Sequence, residues 1–442
     1  MRSKYRIVIA FITAFIILGS SLAFYFLFFS GDENPLMSMR FSDKVLSENG
    51  SSEEGIDNSV ESMNQFAVDL YLELAENSTE NIFFSPLSIY IALSMAMEGA
   101  RGETFTEMKE ALNVVDDNET RRGSFASIQN DLNGRNGCEL SLSNNFWFRD
   151  GEDIKPQYLS IIEDYYMAEI ENASFASDPE GARKKINERI EQETKGRIKD
   201  IIPPGLLDPN TIVVLANAIY FKGQWDIRFD PEDTRDNTFF KNDESTVEIP
   251  MMNIDPTNRE EDVKFESSLN ETLDSLRLNY RNKDISMLFM LPGGWGAEMS
   301  NSDPIGISDL ENMMDSSFIE DTNSGLSEQE IKVTIPKFSF ETDYYLNDNL
   351  MGLGMEKAFN GNEADFSGIR EPDPSNMFID NVLHKTFISV DETGTEAAAA
   401  TGVEIDKSMP TSFKADHPFI FLIQDNETGL ILFMGRVMDP TM

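Results

Sequence analysis

The sequence predicts an α+β fold with large, mostly antiparallel sheets, a helical N-terminal half and one exposed loop near the C-terminus. Helical periodicity comes mostly first and strand-like runs mostly later, without the regular strand–helix alternation of parallel α/β proteins. The chain has 442 residues, 40% of them hydrophobic, which is enough to bury a large core. No internal repeat or second domain break is visible, so a single domain over residues 60–442 is predicted.

Four segments carry helix signals. The first has apolar residues three and four apart, namely Phe66, Ala67, Leu70, Tyr71 and Leu74. The second starts at Ser85-Pro86, a favourable N-cap and first helical residue, and continues as an apolar run to Met97. Shorter charged helices are predicted over 103–112 and over 183–202, where a Pro-Pro-Gly sequence follows.

Strand signals are equally clear, because β-branched and aromatic residues cluster in short runs bounded by turn residues. Such runs cover 140–148, 211–221, 285–291 and 331–335. Two further strands are predicted within 418–435, joined by a turn at 425–429.

The net charge and the numbers of cysteine and histidine residues argue against several function classes. Acidic residues outnumber basic ones by 78 to 36, for a formal net charge of −42, which argues against a nucleic-acid partner. Cys138 is the only cysteine, so no intrachain disulfide can form. One Cys and two His exclude a Cys- or His-rich metal cluster, and we predict no cofactor and no metal.

The N-terminus predicts contact with a membrane. Residues 7–29 form a 23-residue run without charge behind a basic flank, which is long enough to span a bilayer. We interpret residues 1–30 as an uncleaved signal anchor, with a cleaved signal peptide as the alternative. The protein is then expected on the extracellular side of the cell membrane, or secreted after cleavage. Residues 31–59 are polar and acidic, and a disordered linker is predicted there.

Residues 390–413 allow more than one structure. Small or apolar residues alternate from Thr395 to Ile405, with acidic or small residues between them, as in a strand half-buried in a sheet. Gly394, Gly402 and Pro410 are instead loop signals, and Ala397–Ala400 alone suit a linker or a helical turn. The residues alone therefore leave open an exposed loop, a linker or helix, and an inserted strand.

Five segments in a fixed order make the chain resemble the serpin family from about Val60 to Asp439. They are NIFFSPLSI at 81–89, NAIYFKGQW at 217–225, DETGTEAAAAT at 391–401, FKADHPF at 413–419 and LFMGR at 432–436. One departure is Arg189, where the family usually has Trp. It bears on the packing of one surface helix.

The resemblance implies a suicide-substrate inhibitor of serine proteases, with cysteine proteases as a second class of target. In this family a protease cuts an exposed loop, and the freed N-terminal half of the loop inserts into the main sheet. The acylated protease is carried along and distorted before deacylation, so the chain itself is not an enzyme. We expect a monomer whose partner is the target protease.

The resemblance also assigns roles to individual residues. The loop hinge comprises Glu392, Gly394, Thr395, Glu396, Ala397, Ala398, Ala399, Ala400 and Thr401. A polar cluster under the main sheet, here called the shutter, comprises Ser85, Ser88, Asn217 and His384. The entry point at the top of the sheet, here called the breach, comprises Trp225, Lys337 and Glu392. We predict an ion pair between Lys337 and Glu392 that holds the hinge.

The reactive bond is predicted between Lys407 and Ser408. Family spacing counted from Glu392 reaches Ser408, whereas counting back from the strand at Pro418 reaches Lys407. A lysine before the cut bond fits the acidic pocket of a trypsin-like protease. Ser408–Met409 is the alternative bond, and a subtilisin-like target stays open.

The sequence also bears on two other functions, a binding protein without inhibition and an enzyme. A serpin fold without inhibition would act as a binding or chaperone-like extracellular protein, but bulky, charged or Pro residues are then expected where this hinge has Ala. An enzyme is disfavoured, because the chain has no Gly-x-Ser-x-Gly elbow, no His-Glu-x-x-His helix and no P-loop.

Overall fold

The computed structural model describes residues 44–442 except 77, 116, 134, 136, 137, 260, 261, 294–304, 372–376 and 394–410. All described residues belong to one compact unit, Ser38–Met442. Among them, no helix combines the length and the apolar character needed to cross a bilayer. The predicted span over 7–29 lies outside the described residues and stays a prediction.

Nine α-helices are described in this part of the chain, six of them before residue 194. They are α1 Glu53–Ala75, α2 Pro86–Gly99, α3 Gly102–Ala111, α4 Asn118–Leu132, α5 Pro156–Tyr165, α6 Pro179–Glu193, α7 Ile307–Glu311, α8 Ser316–Ser324 and α9 Asn347–Gly352. Short 3-10 turns cover Pro231–Asp233, Pro256–Asn258 and Lys357–Phe359.

Two helix boundaries differ from the sequence prediction. The first helix begins at Glu53, within the range predicted as linker, because the Ser52 side chain accepts a hydrogen bond from the Gly55 N–H and caps it. The helix predicted over 183–202 ends at Glu193 instead. Gly196 there has a φ of +77° and donates its N–H to the Glu191 carbonyl, which terminates the helix before the prolines.

The linker prediction is also wrong for residues 44–52, which pack against the domain. The Leu46 side chain is buried beside Ala126 and Met167. A polar, acidic composition hides this single apolar anchor, so a composition argument could not find it.

Sixteen strands of the described chain form three sheets. They are β1 Ile82–Phe84, β2 Cys138–Arg149, β3 Glu169–Ala173, β4 Val213–Gly223, β5 Arg235–Phe240, β6 Thr246–Ile254, β7 Phe265–Ser268, β8 Leu273–Asn279, β9 Ile285–Pro292, β10 Ser327–Gln329, β11 Lys332–Pro336, β12 Phe338–Tyr345, β13 Asn381–Val390, β14 Ser412–Lys414, β15 Phe419–Asp425 and β16 Ile431–Val437. Every strand predicted from the sequence outside 390–413 is confirmed.

The sheets have strand orders β1-β16-β15-β9-β8-β7-β10, β14-β11-β6-β5 and β12-β13-β4-β2-β3. Most pairs are antiparallel, as predicted; the exceptions are β13–β4, β2–β3 and β11–β14. Helix α2 packs against β2 and β4 of the five-stranded sheet and against β16 of the seven-stranded sheet. All of its residues are buried, because it lies between the two sheets.

Candidate functional site

The centre of the five-stranded sheet contains a parallel strand pair, here called the seam. Strands β13 and β4 pair in register from Asn381 opposite Val214 to Phe387 opposite Tyr220. The strands that flank this pair, β12 and β2, are antiparallel to β13 and β4, respectively. The chain that leaves the top of β13 leads directly into the predicted reactive loop.

The shutter residues lie together beneath the seam, as the sequence predicts. His384 and Asn217 are opposite each other in the parallel ladder. Ser85 caps α2 by accepting from the Ser88 N–H, and its own Oγ donates to the Leu432 carbonyl at 2.8 Å. All four side chains are buried. Their role in opening and closing the sheet stays a prediction.

His384 is held as a neutral imidazole. Its Nε2 accepts a hydrogen bond from the Ser85 N–H at 3.0 Å, so the ring proton resides on Nδ1. Burial lowers the pKa of His384 to about 3, because no described charge compensates for the lost water.

Asn144 on β2 completes this cluster and was missed by the sequence reasoning. Its Oδ1 accepts from Ser88 Oγ at 2.6 Å and from Asn217 Nδ2 at 3.0 Å. The available signal was the polar pair Asn144-Asn145 inside an otherwise apolar strand. Three buried atoms of this cluster have no hydrogen-bond partner among the described residues, namely Asn144 Nδ2, Asn217 Oδ1 and His384 Nδ1.

The first residues of the hinge are fastened to the segment after β4. The Trp225 N–H donates to the Thr393 carbonyl at 2.9 Å, and the Trp225 indole donates to the Asp391 carbonyl at 3.0 Å. The Phe229 N–H donates to the Glu392 carbonyl at 3.0 Å. Trp225 is buried and stacks on Tyr280, with the ring centroids 4.5 Å apart. The breach is therefore a defined contact between the exit of β13 and the exit of β4.

The ion pair predicted between Lys337 and Glu392 is present. Lys337 Nζ lies 2.7 Å from Glu392 Oε2. Thr234 Oγ1 donates to Oε1 of the same carboxylate at 2.8 Å, a partner that the sequence did not indicate. Partial burial raises the pKa of Glu392, but the hydrogen bonds from Lys337, from its own backbone and from Thr234 outweigh this and lower the pKa below its usual value.

The remaining predicted site residues lie outside the described residues. These are Gly394, Thr395, Glu396, Ala397, Ala398, Ala399, Ala400, Thr401, Lys407 and Ser408. Their assignments stay predictions. The helix that carries Arg189, α6, buries Ile186 and Ile190 in a hydrophobic cluster, and Arg189 itself pairs with Glu169 at 2.6 Å on the surface.

The three sheets, the buried polar cluster and the chain that leaves β13 of the five-stranded sheet define an α+β protein. The family model described as Serpin (serine protease inhibitor) matches residues 61–440 of this chain. The chain belongs to the serpin family. At the level of the family, serpins are protease inhibitors rather than catalysts.

Relatives agree with this assignment. An uncharacterised serpin-like protein of Thermococcus kodakarensis is 41% identical, over 86% of this chain and 85% of its own. The leukocyte elastase inhibitor of Xenopus laevis is 34% identical, over 85% of this chain and 97% of its own. Human thyroxine-binding globulin in complex with thyroxine has a similar structure, with a TM-score of 0.75 and 30% identity over 88% of this chain and all of that one.

Proposed function

We propose that this protein is a suicide-substrate inhibitor that traps serine proteases, with cysteine proteases as a second class of target. The seam carries this proposal. A chain that leaves the top of β13 and turns back between β13 and β4 would replace one parallel pair with two antiparallel pairs. Antiparallel pairing is slightly more stable per residue, and each additional strand buries further apolar surface.

The length of the connection fits such an insertion. Seventeen residues, 394–410, separate Thr393 from the next described residue, Thr411. The seam ladder has seven residue pairs. At about 3.3 Å per residue, the N-terminal half of the connection is long enough to line most of this ladder.

The side-chain pattern of the hinge supports insertion. Every second residue from Thr395 to Thr401 is Thr or Ala, small enough to enter between two closely spaced strands. Glu396 falls on the opposite face of the alternation, where its carboxylate would stay in water. Ala at four consecutive positions, 397–400, also keeps the side-chain entropy cost of ordering low.

The proposed target is a trypsin-like protease that cuts Lys407–Ser408. Lys407 supplies the long cation that an acidic specificity pocket selects, and Ser408 is a small leaving-side residue. Ser408–Met409 is the alternative bond and would favour a subtilisin-like protease. We further propose that the inhibitor acts as a monomer outside the cell, held by the segment 7–29 or released by its cleavage.

Incubation with trypsin-like and subtilisin-like proteases tests this function. We expect a covalent complex that survives SDS, and a released C-terminal fragment that begins at Ser408 by mass spectrometry. Lys407→Ala should abolish the complex with the trypsin-like enzyme. Complete cleavage without any SDS-stable complex would contradict inhibition.

A binding function without inhibition is the second candidate. The similarity to a thyroxine-binding globulin, named as a complex with thyroxine, shows that a closely similar fold is found in a binding protein. The same protease assay separates the two candidates, because a carrier would be cut as an ordinary substrate.

A further inference from the structure

We propose that residues 44–52, here called the N-terminal strap, act as a clip that slows the opening of the five-stranded sheet. This inference rests on the proposed function, since it concerns the barrier to loop insertion. The strap lies before the family-matched region, which starts at residue 61.

The strap is bound to α4 through Leu46. The Leu46 N–H donates to Asn130 Oδ1 at 2.9 Å, and Asn130 Nδ2 donates back to the Leu46 carbonyl at 3.0 Å. One amide side chain thus pairs with both backbone polar groups of Leu46, as a neighbouring strand would. The Leu46 side chain is only 3% exposed, whereas that of its neighbour Val45 is 83% exposed.

A glycine on α4 allows the strap to cross the helix in contact. A Cβ atom on Gly123 would lie 2.3 Å from the Asn49 carbonyl oxygen and 2.5 Å from the Ser51 nitrogen. Any other residue at position 123 would therefore push the strap away from the helix. This close approach explains a glycine in the middle of α4, where it costs helix stability.

The strap also reaches α5, the helix that leads into β3. The Ser47 N–H donates to the Asp164 carbonyl at 2.8 Å, in the last turn of α5. Strand β3 begins at Glu169, a few residues later, in the half of the sheet on the β4 side of the seam.

In the other direction, the strap leads through α1 to β1, which is bonded to the opposite half of the sheet. The Phe83 carbonyl of β1 accepts hydrogen bonds from Thr342 of β12 and from Thr386 of β13. The Phe83 N–H is bonded to the Tyr344 hydroxyl at 3.3 Å. The strap therefore connects elements attached to both sides of the seam. Insertion of one strand separates these sides by about 4.8 Å, which strains a connection held at both ends.

The test uses point variants of the full-length chain in detergent. The uncut protein is incubated below its melting temperature, and the fraction that converts into a form resistant to concentrated urea is followed over time. We expect Leu46→Ala and Asn130→Ala to convert about tenfold faster than wild type, since each removes one anchor of the strap. Val45→Ala, in the same segment but exposed, should convert at the wild-type rate.

Gly123→Ala provides an independent variant. It raises helix propensity but displaces the strap, so faster conversion is expected although α4 itself is strengthened. Slower conversion would overturn the proposal, as would equal rates for Leu46→Ala and Val45→Ala.

A general stabilising role is distinguished by cutting the loop first. If Leu46→Ala lowers the melting temperature of the cut protein as much as that of the uncut protein, the strap is not a clip on opening. If wild type never gains urea resistance after cleavage, the proposed function fails and the strap proposal fails with it. If wild type converts and the strap variants match it, only the strap proposal fails.

Discussion

At the scale of single residues, the site depends on two titratable groups in opposite environments. His384 is fully buried, neutral and bonded to the backbone of Ser85. Glu392 is ionised at the edge of the sheet and bonded to Lys337 and Thr234. His384 stabilises the fold only while it is neutral, and Glu392 only while it is ionised. Both therefore stabilise the described sheet at neutral pH.

His384 should make stability depend on pH from about pH 7 downward, which begins above the usual titration range of carboxylates. Its folded pKa of about 3 lies below the unfolded value of about 6.5, so the unfolded chain takes up the proton first. Stability is fully present above about pH 6.5 and is lost as pH falls toward 3, by up to about tenfold in the folding equilibrium per pH unit.

Urea unfolding at several pH values between about 7 and 5.5 tests this prediction. The His384→Gln variant should lose the slope, since its amide oxygen can accept from Ser85 without titrating. The chain has one other histidine, so His417→Gln is the matched control and should keep the His384 contribution. An unchanged slope in His384→Gln would show that this residue is not responsible.

The ion pair at the breach should contribute a small but measurable coupling. Lys337 is 37% exposed and Glu392 is 10% exposed at the side chain, so solvent screens the pair only partly. A double-mutant cycle with Lys337→Met and Glu392→Gln should give a coupling free energy above zero, of up to about 1 kcal/mol, in the rate of inhibition. Zero coupling would remove the proposed role of the pair in holding the hinge.

The pair should also weaken in acid. The folded pKa of Glu392 is lowered, so its stabilising contribution is present above its unfolded value of about 4.3 and lost as pH falls through the lower folded value. Hydrogen exchange of the Phe229 N–H, which donates to the Glu392 carbonyl, should speed up relative to its intrinsic rate in that acidic range. The Glu392→Gln variant should show no such additional acceleration.

At the scale of elements, the proposed loop insertion rests on the parallel pair β13–β4. The strands that flank it, β12 and β2, are antiparallel to β13 and β4, and in the cluster below it the side chains of Ser88, Asn144 and Asn217 are linked by hydrogen bonds. Such a network can be rearranged when strands part, whereas a tightly packed apolar layer would leave a cavity.

The alternation of the hinge predicts different results for two neighbouring charge substitutions. Thr395→Arg places a cation on the face that insertion buries, so the variant should be cut as a substrate without trapping the protease. Glu396→Arg changes the neighbouring residue on the solvent face and should keep most of the SDS-stable complex. Equal loss in both variants would contradict the strand register.

At the scale of the whole molecule, the net charge and the proposed metastability lead to predictions about thermal stability. A formal charge of −42 produces self-repulsion that salt screens, because the Debye length falls from about 30 Å at 0.01 M to about 3 Å at 1 M. Since the chain has one cysteine, packing rather than disulfides must hold the fold against this repulsion.

Salt should therefore stabilise the uncut protein. We expect its melting temperature to rise between about 0.01 M and about 1 M NaCl, as measured by circular dichroism. A fall over this range would show that exposed ion pairs, which salt weakens, outweigh the net repulsion.

Cleavage of the loop should raise the melting temperature above that of the uncut protein, because the inserted strand would pair with β13 on one side and with β4 on the other. Limited proteolysis followed by thermal unfolding measures this shift. Protein cut within the α2–α3 connection instead is a control, since it gains no strand. An unchanged melting temperature after loop cleavage would exclude stored conformational free energy.

Local patterns in the chain were sufficient for the fold class and most strand positions, whereas the shutter residues and the partner of Glu392 came from the resemblance to the serpin family. These features rest on periodicity, capping and family motifs, which are written in contiguous residues. The register that sets His384 opposite Asn217, the addition of Asn144 and the docking of Leu46 on Asn130 became visible only in three dimensions. The reason is that each joins residues far apart in sequence, and no local period encodes which distant surfaces will meet once the core is packed.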